Sequence, residues 1–160
     1  VKRKPKLSLR NRALQYLARR EYGRLELRAK LLPHVEVIND FEQVQSVDLD
    51  ALLDDLTARG WLSDERAATQ FVHAKRSRFG TQRITYELRQ KGIPESLIDE
   101  ALPQLKETEL EAARNVWQRK FGVLAQDQKE KAKQFRFMQS RGFSMSVIMK
   151  VLKSSELDEV

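Results

Sequence analysis

The sequence predicts an all-α protein built as three tandem three-helix repeats, packed in an elongated, curved array. Three observations carry that prediction. Apolar residues recur at helical spacing nearly throughout, glycine and proline fall between the apolar stretches, and the pattern repeats along the chain.

The opening Val1-Lys2-Arg3-Lys4-Pro5-Lys6 has no apolar core, so residues 1–7 read as a basic tail rather than a secretory signal. Residues 8–60 form the first unit. Its first helix ends at Tyr22-Gly23, its second carries Leu27 and Leu31, and its third carries Leu49, Leu52, Leu53 and Leu56 on one face. A long connection, residues 33–47, separates the second and third helices, and strand-like alternation is confined to Val35–Ile38. Residues 61–105 form the second unit. A helix from Asp64 to Phe79 bears Ala68, Phe71, Val72, Lys75 and Phe79 along one stripe. The next helix holds Ile84 and Leu88 and stops at Gly92-Ile93-Pro94, and the last holds Ile98, Ala101, Leu102 and Leu105. Residues 106–155 form the third unit, with Leu110, Ala113, Trp117 and Phe121 before Gly122, Met138 before Gly142, then Ile148, Val151 and Leu152.

The repeat fixes these boundaries. An offset of 57 takes Tyr22-Gly23 to Phe79-Gly80, Leu27 to Ile84 and Leu31 to Leu88. An offset of 49 takes the Leu49–Leu56 face to Ile98–Leu105, so 8 extra residues lie within Pro33–Val47. Between the second and third units the offset is 42 at Phe79-Gly80 and 50 from Leu88 onward, placing an insertion at Val123–Glu130. A three-helix unit of about 40–50 residues has a marginal core, so neighbours stack in series. A stacked array presents one long face, which suits a long partner better than a small molecule.

Thirty Lys/Arg against 23 Asp/Glu give a formal charge of +7, an excess that favours a polyanionic partner. Cysteine is absent, and with His34 and His73 the only imidazoles a zinc site is disfavoured. No apolar run approaches the roughly 18 residues of a membrane span. These features fit a cytoplasmic protein with no membrane partner, and a repeat array of this kind works as a monomer.

The positive charge concentrates in the second unit. Between Phe71 and Gly92 stand Lys75, Arg76, Arg78, Arg83, Arg89 and Lys91 against Glu87, a net +5. Guanidinium groups grip phosphates or carboxylates with two parallel bonds, so this stretch is the expected polyanion-binding face. Arg76 lies off the apolar stripe and is expected to be exposed, as is Arg83. Arg19, Arg20, Arg28 and Lys30 extend the surface into the first unit, and Arg119, Lys120, Lys133, Arg136 and Arg141 into the third. Phe71, Phe79, Trp117, Phe121 and Phe135 fall on apolar faces and read as core. Trp61 is expected to staple neighbouring units, and Tyr86 is the aromatic expected at the surface.

Catalytic chemistry finds little support. The chain has no glycine-rich phosphate loop, nucleophile elbow or His-Glu-x-x-His, and no cofactor is expected. Asp48, Asp50, Asp54 and Asp55 read as acids drawn to a helix N-terminus rather than a metal site. Asp64 reads as the cap of its own helix.

One stretch is more specific. Gly60-Trp61-Leu62-Ser63-Asp64-Glu65-Arg66-Ala67-Ala68 is followed by Phe71-Val72, Arg76, Phe79-Gly80, Arg83-Ile84 and Glu87-Leu88-Arg89-Gln90-Lys91-Gly92-Ile93. This resembles the central signature of the RecX family, and Glu26-Leu27 with Lys30-Leu31 is similar to the family's first unit. Gly23 departs from the serine usual there, and residues 33–47 are longer than the family pattern. The resemblance spans about Leu9 to Leu152. It implies a three-repeat helical protein that binds the RecA filament on single-stranded DNA along its groove. It also implies a non-enzymatic inhibitor of strand exchange and ATP hydrolysis.

A sequence-specific helix-turn-helix repressor is the alternative, because Ile84–Leu102 has the helix, glycine turn, helix outline. Its would-be recognition helix carries Glu95, Asp99 and Glu100 and no Lys or Arg, which phosphates would repel. A pure protein scaffold is the other alternative. For bare single- or double-stranded DNA the residues predict weak binding without sequence preference.

Overall fold

The computed structural model describes residues 7–35 and 42–157, apart from the side chains of 42–47 and 154–157. Most of the basic tail, the alternation beyond Val35 and residues 36–41 of the long connection lie outside the described residues. The described residues contain helices and no strand. They are α1 (Leu9–Arg19), α2 (Arg24–Leu31) running into a 3-10 turn at Leu32–His34, α3 (Glu42–Ala58), α4 (Asp64–Lys75), α5 (Thr81–Gln90), α6 (Glu95–Lys120), α7 (Gln128–Ser140) and α8 (Met145–Leu157). None of them is long and apolar enough to cross a membrane.

The described residues fall into two compact units whose limits differ from the repeat boundaries. One holds the residues up to 68 together with 91–93, and the other holds 69–90 and everything from 94 onward. Repeat units exchange contacts at their ends, so the turn at Gly92 belongs with the first unit's helices.

In the N-terminal unit, Leu27, Leu31, Leu49, Leu53 and Leu56 are fully buried, joined by Ala13, Tyr22 and Leu62. The helical spacing marks the five leucines, and Leu52, which it also marks, is only partly buried. Each buried leucine contributes roughly 1.5–3 kcal/mol by leaving water. Ser8 caps α1 by accepting from Asn11 N at 3.1 Å. Gly23, at the N-cap of α2, has no side chain to do the same. Asp64 supplies the acceptor instead, its Oδ1 taking the Arg24 N–H at 2.8 Å. Asp64 therefore caps α2, and Ser63 caps α4 through Arg66 N at 3.2 Å. The expectation that Asp64 caps its own helix is corrected.

The acidic cluster is corrected too. Helix α3 begins at Glu42, so Asp50, Asp54 and Asp55 lie well inside it, away from the dipole at its N-terminus. Each is held by arginine: Asp50 by Arg28 at 3.2 Å, Asp54 by Arg24 at 2.7 Å, and Asp55 by Arg10 at 2.8 Å and Arg59 at 3.0 Å. Hydrogen bonds from Arg10 and Arg59 hold the Asp55 carboxyl below its ordinary value. Trp61 is 44% exposed and lies beneath Arg10 and Arg59, so it is a platform for cations and not a staple.

In the C-terminal unit, Ile84, Leu88, Ile98 and Leu105 are buried, as are Ala113, Trp117, Met138, Phe143 and Ile148. Trp117 Nε1 donates to Gln134 Oε1 at 3.0 Å, and Gln134 Nε2 donates to Val123 O at 3.1 Å. Both buried polar side chains are thereby satisfied. Helix α6 carries both the third helix of the second repeat and the first helix of the third. It runs through Pro103 and past Leu105 without a break, because no glycine lies between Leu102 and Leu110.

Candidate polyanion-binding surface

Helix α4 ends in a loop that brings Phe79 to the start of α5, and the turn after α7 meets it there. Gly80 N donates to Arg141 O at 2.7 Å, and Gln82 N donates to Gly142 O at 3.2 Å. These bonds place cations from three elements around one ring. Phe79 is 8% exposed, and Arg83, Arg141, Arg78 and Lys75 stand 4.5, 5.2, 5.6 and 5.7 Å from its centroid. Arg141 and Lys120 also lie 5.1 and 5.3 Å from the centre of Phe137. Arg119 donates to Ser77 O and so joins the same edge. Cations within about 6 Å of a ring face are attracted by its quadrupole, which helps offset their mutual repulsion.

Lys75, Arg78, Arg83 and Arg119 from the expected set therefore come together, with Lys120 and Arg141. Arg83 is partly engaged, through Glu87 at 3.4 Å and Ser140 O at 3.3 Å. The side chains of Lys75, Arg78 and Arg141 make no ion pair with the described residues. The remaining expected residues sit elsewhere. Arg89 forms a two-pronged pair with Glu95 at 2.8 to 3.1 Å, which raises its own pKa and lowers that of Glu95. Arg28 is bound to Asp50, and Lys30 is exposed on α2. Lys133 and Arg136 are exposed on α7, with no described contact to the Phe79 cluster.

Arg76 departs from expectation. It is half-buried, with Nη1 donating to Thr81 Oγ1 at 3.2 Å, while Nε and Nη2 are buried without a partner. Burial pushes its pKa below the ordinary arginine value, and Glu109 only partly opposes that. Arg76 is thus engaged with the fold at Thr81, and the expectation that it is exposed is corrected. Tyr86, at 60% exposed, lies at the surface as its spacing predicts.

Lys91 belongs to the N-terminal unit, paired with Glu26. The Glu26 carboxylate is 13% exposed and also has Arg20 Nη1 at 2.7 Å, without a well-aligned N–H. Burial by itself would raise the Glu26 pKa, but the Lys91 and Arg20 cations outweigh it and hold the group below its ordinary value. A depressed carboxylate stabilises above its unfolded pKa, and that stabilisation disappears as pH falls through the folded value. Glu26→Gln is thus expected to lower the melting temperature at neutral pH, with the gap to the parent protein closing as pH drops below about 4. Thermal melts across pH check this, and a gap constant with pH would refute it.

Residues 63–102 match the RecX second three-helix domain, and residues 107–152 match the RecX third three-helix domain. The chain is 45% identical over 153 residues to regulatory protein RecX of Leptothrix cholodnii, covering 96% of this chain and 92% of that one. It is 42% identical over 150 residues to regulatory protein RecX of Ralstonia nicotianae, covering 94% and 89%. The crystal structure of RecX from Lactobacillus salivarius shares the fold at a TM-score of 0.70 and 17% identity, over 93% of this chain and 95% of that chain. With two matched domains and near full-length similarity to regulatory relatives, this all-helical chain belongs to the RecX family of regulatory proteins.

Proposed function

We propose that this protein inhibits the RecA recombinase in the cytoplasm by binding the RecA–single-stranded-DNA filament as a monomeric, non-catalytic partner. The cations gathered around Phe79 are the contact surface. The observation that carries this reading is the gathering itself: Lys75, Arg78, Arg83 and Arg141 face one ring, and among the described residues Glu87 is the one carboxylate bonded to any of them. A filament groove offers phosphates and protein carboxylates along a line, and this edge is built to meet such a line. The helix-turn-helix alternative gains nothing, since Glu95, Asp99 and Glu100 are exposed on the first turns of α6.

The test is ATP hydrolysis by recombinase filaments with increasing amounts of this protein. Inhibition is expected, with binding to bare DNA weak, indifferent to sequence and steeply salt-dependent. Lys75→Glu combined with Arg78→Glu should reduce inhibitory potency by about tenfold or more, as each lost charge contact weakens binding. Arg78 is exposed and Lys75 half-buried, so the melting temperature should fall by only a few degrees. A normally folded double variant that inhibits fully would refute this surface.

A further inference from the structure

The internal repeat allows two equivalent junctions to be compared residue by residue. The offset of 57 takes Tyr22 to Phe79 and Glu26 to Arg83, and the offset of 50 takes Lys91 to Arg141. In the N-terminal unit, Tyr22 is 6% exposed and covered by Arg20 at 3.7 Å. Beside it the Glu26 carboxylate is held between Lys91 and Arg20. The aromatic, the acid and the base form a closed set there.

In the C-terminal unit the aromatic is kept and the acid is inverted. Arg83 stands in the place of Glu26, facing the same ring as Arg141, which stands in the place of Lys91. Their guanidinium carbons lie less than 10 Å apart, since they are 4.5 and 5.2 Å from one centroid. Like charges at this separation repel, and among the described residues Glu87 reaches Arg83, at 3.4 Å, and no carboxylate pairs with Arg141. The two residues are nonetheless tied to each other's segments. Arg141 O accepts from Gly80 N, and Arg83 Nη1 donates to Ser140 O at the end of α7. Arg83 is thus only partly neutralised, and Arg141 has no ion pair with the described residues.

We infer that the Arg83–Arg141 junction is a phosphate-binding site, in which a phosphate takes the position that the Glu26 carboxylate fills in the first junction. Guanidinium forks match phosphate oxygens bidentately, and two forks accommodate one group with several acceptor oxygens. The neighbouring Lys75 and Arg78 supply more charge than a single phosphate needs. A run of phosphodiesters on a single nucleic-acid strand therefore fits better than an isolated ion. This deepens the filament reading and rests on it only for the identity of the strand's carrier.

The test uses the full chain without recombinase. Inorganic phosphate and a short oligothymidine are titrated at constant ionic strength, following the Arg83 and Arg141 side-chain Nε–H signals by NMR. Both probes are expected to shift these two signals together, with the oligonucleotide binding the tighter. Arg83→Glu puts a carboxylate in the place of Glu26, although Glu87 stands where the first junction has Lys30. At this exposed position the substitution should lower the melting temperature by only a few degrees while weakening oligonucleotide binding by about tenfold or more. Lys150→Glu, an equal charge change at an exposed position on α8, should change binding much less. Equal loss in both variants would reduce the effect to net charge and overturn the site. Polyglutamate shifting the same signals as strongly as the oligonucleotide would overturn phosphate in favour of a protein carboxylate. Oligonucleotide binding no tighter than inorganic phosphate would overturn the strand. Retained phosphate binding without filament inhibition would fail the filament reading alone.

Discussion

Gly80→Ala is expected to unfold or severely loosen the C-terminal unit. A Cβ at Gly80 would lie 2.2 Å from Gly142 O and 2.4 Å from Phe143 N, closer than any real contact. The obstruction is backbone, so no rotamer change relieves it. The two segments are also tied by the Gly80 N to Arg141 O bond, and separating them forfeits it. Overpacking of this kind costs about 3 kcal/mol or more. For a unit of this size that is a fall of roughly 10 °C or more in melting temperature. Gly60→Ala is the control. Its Cβ would meet nothing within 4 Å, although φ is +74°. That change carries only the left-handed backbone penalty of about 1 kcal/mol. Thermal melts of the two variants side by side decide the matter, and equal small losses would refute the junction.

Arg76→Glu is expected to damage folding, not binding. The substitution would set a carboxylate in the field of Glu109, which is 6% exposed and already accepts from Ser144 N at 3.3 Å. Two acids in a half-buried site destabilise by about 3 kcal/mol. Arg76→Met should cost about 1 kcal/mol or less. It loses the Thr81 hydrogen bond but also removes two buried, unpartnered N–H groups. Chemical denaturation of both variants separates these outcomes. A methionine variant as unstable as the glutamate variant would show that the cation itself is structurally required.

The core was legible in the sequence because helical spacing and burial are the same fact seen twice. Leu49, Leu53 and Leu56, then Ile84 and Leu88, then Ile98 and Leu105 occupy the faces that their spacing marks. The basic stretch was legible as a sum and not as a surface. Arg89 is spent on Glu95, six residues away, and Lys91 on Glu26, 65 residues away. Only the fold reveals such partners. Arg76 looked free because its position on the helix clears α4's apolar stripe, yet Thr81 and Glu109 reach it from other elements. Phe79 looked like plain core, and it is buried. Its second role as the ring that four cations share depends on Arg141, 62 residues along the chain. The signal was present in the repeat, where Lys91 and Arg141 are equivalent, but the charge of Glu26 had to be compared with that of Arg83 to read it.

The unbroken course of α6 governs where this chain tolerates changes of length. The 8-residue differences between repeats fall at Pro33–Val47 and Val123–Glu130, in or beside connections, where extra residues need not disturb a packed face. Between Leu102 and Leu110 there is no such freedom. One residue added to a continuous helix turns everything beyond it by about 100°. An insertion there would carry Ala113, Val116 and Trp117 away from the core they fill while leaving Ile98 in place. The second and third repeats are thus geared together by a single rotational phase, and length variation among relatives should avoid that stretch.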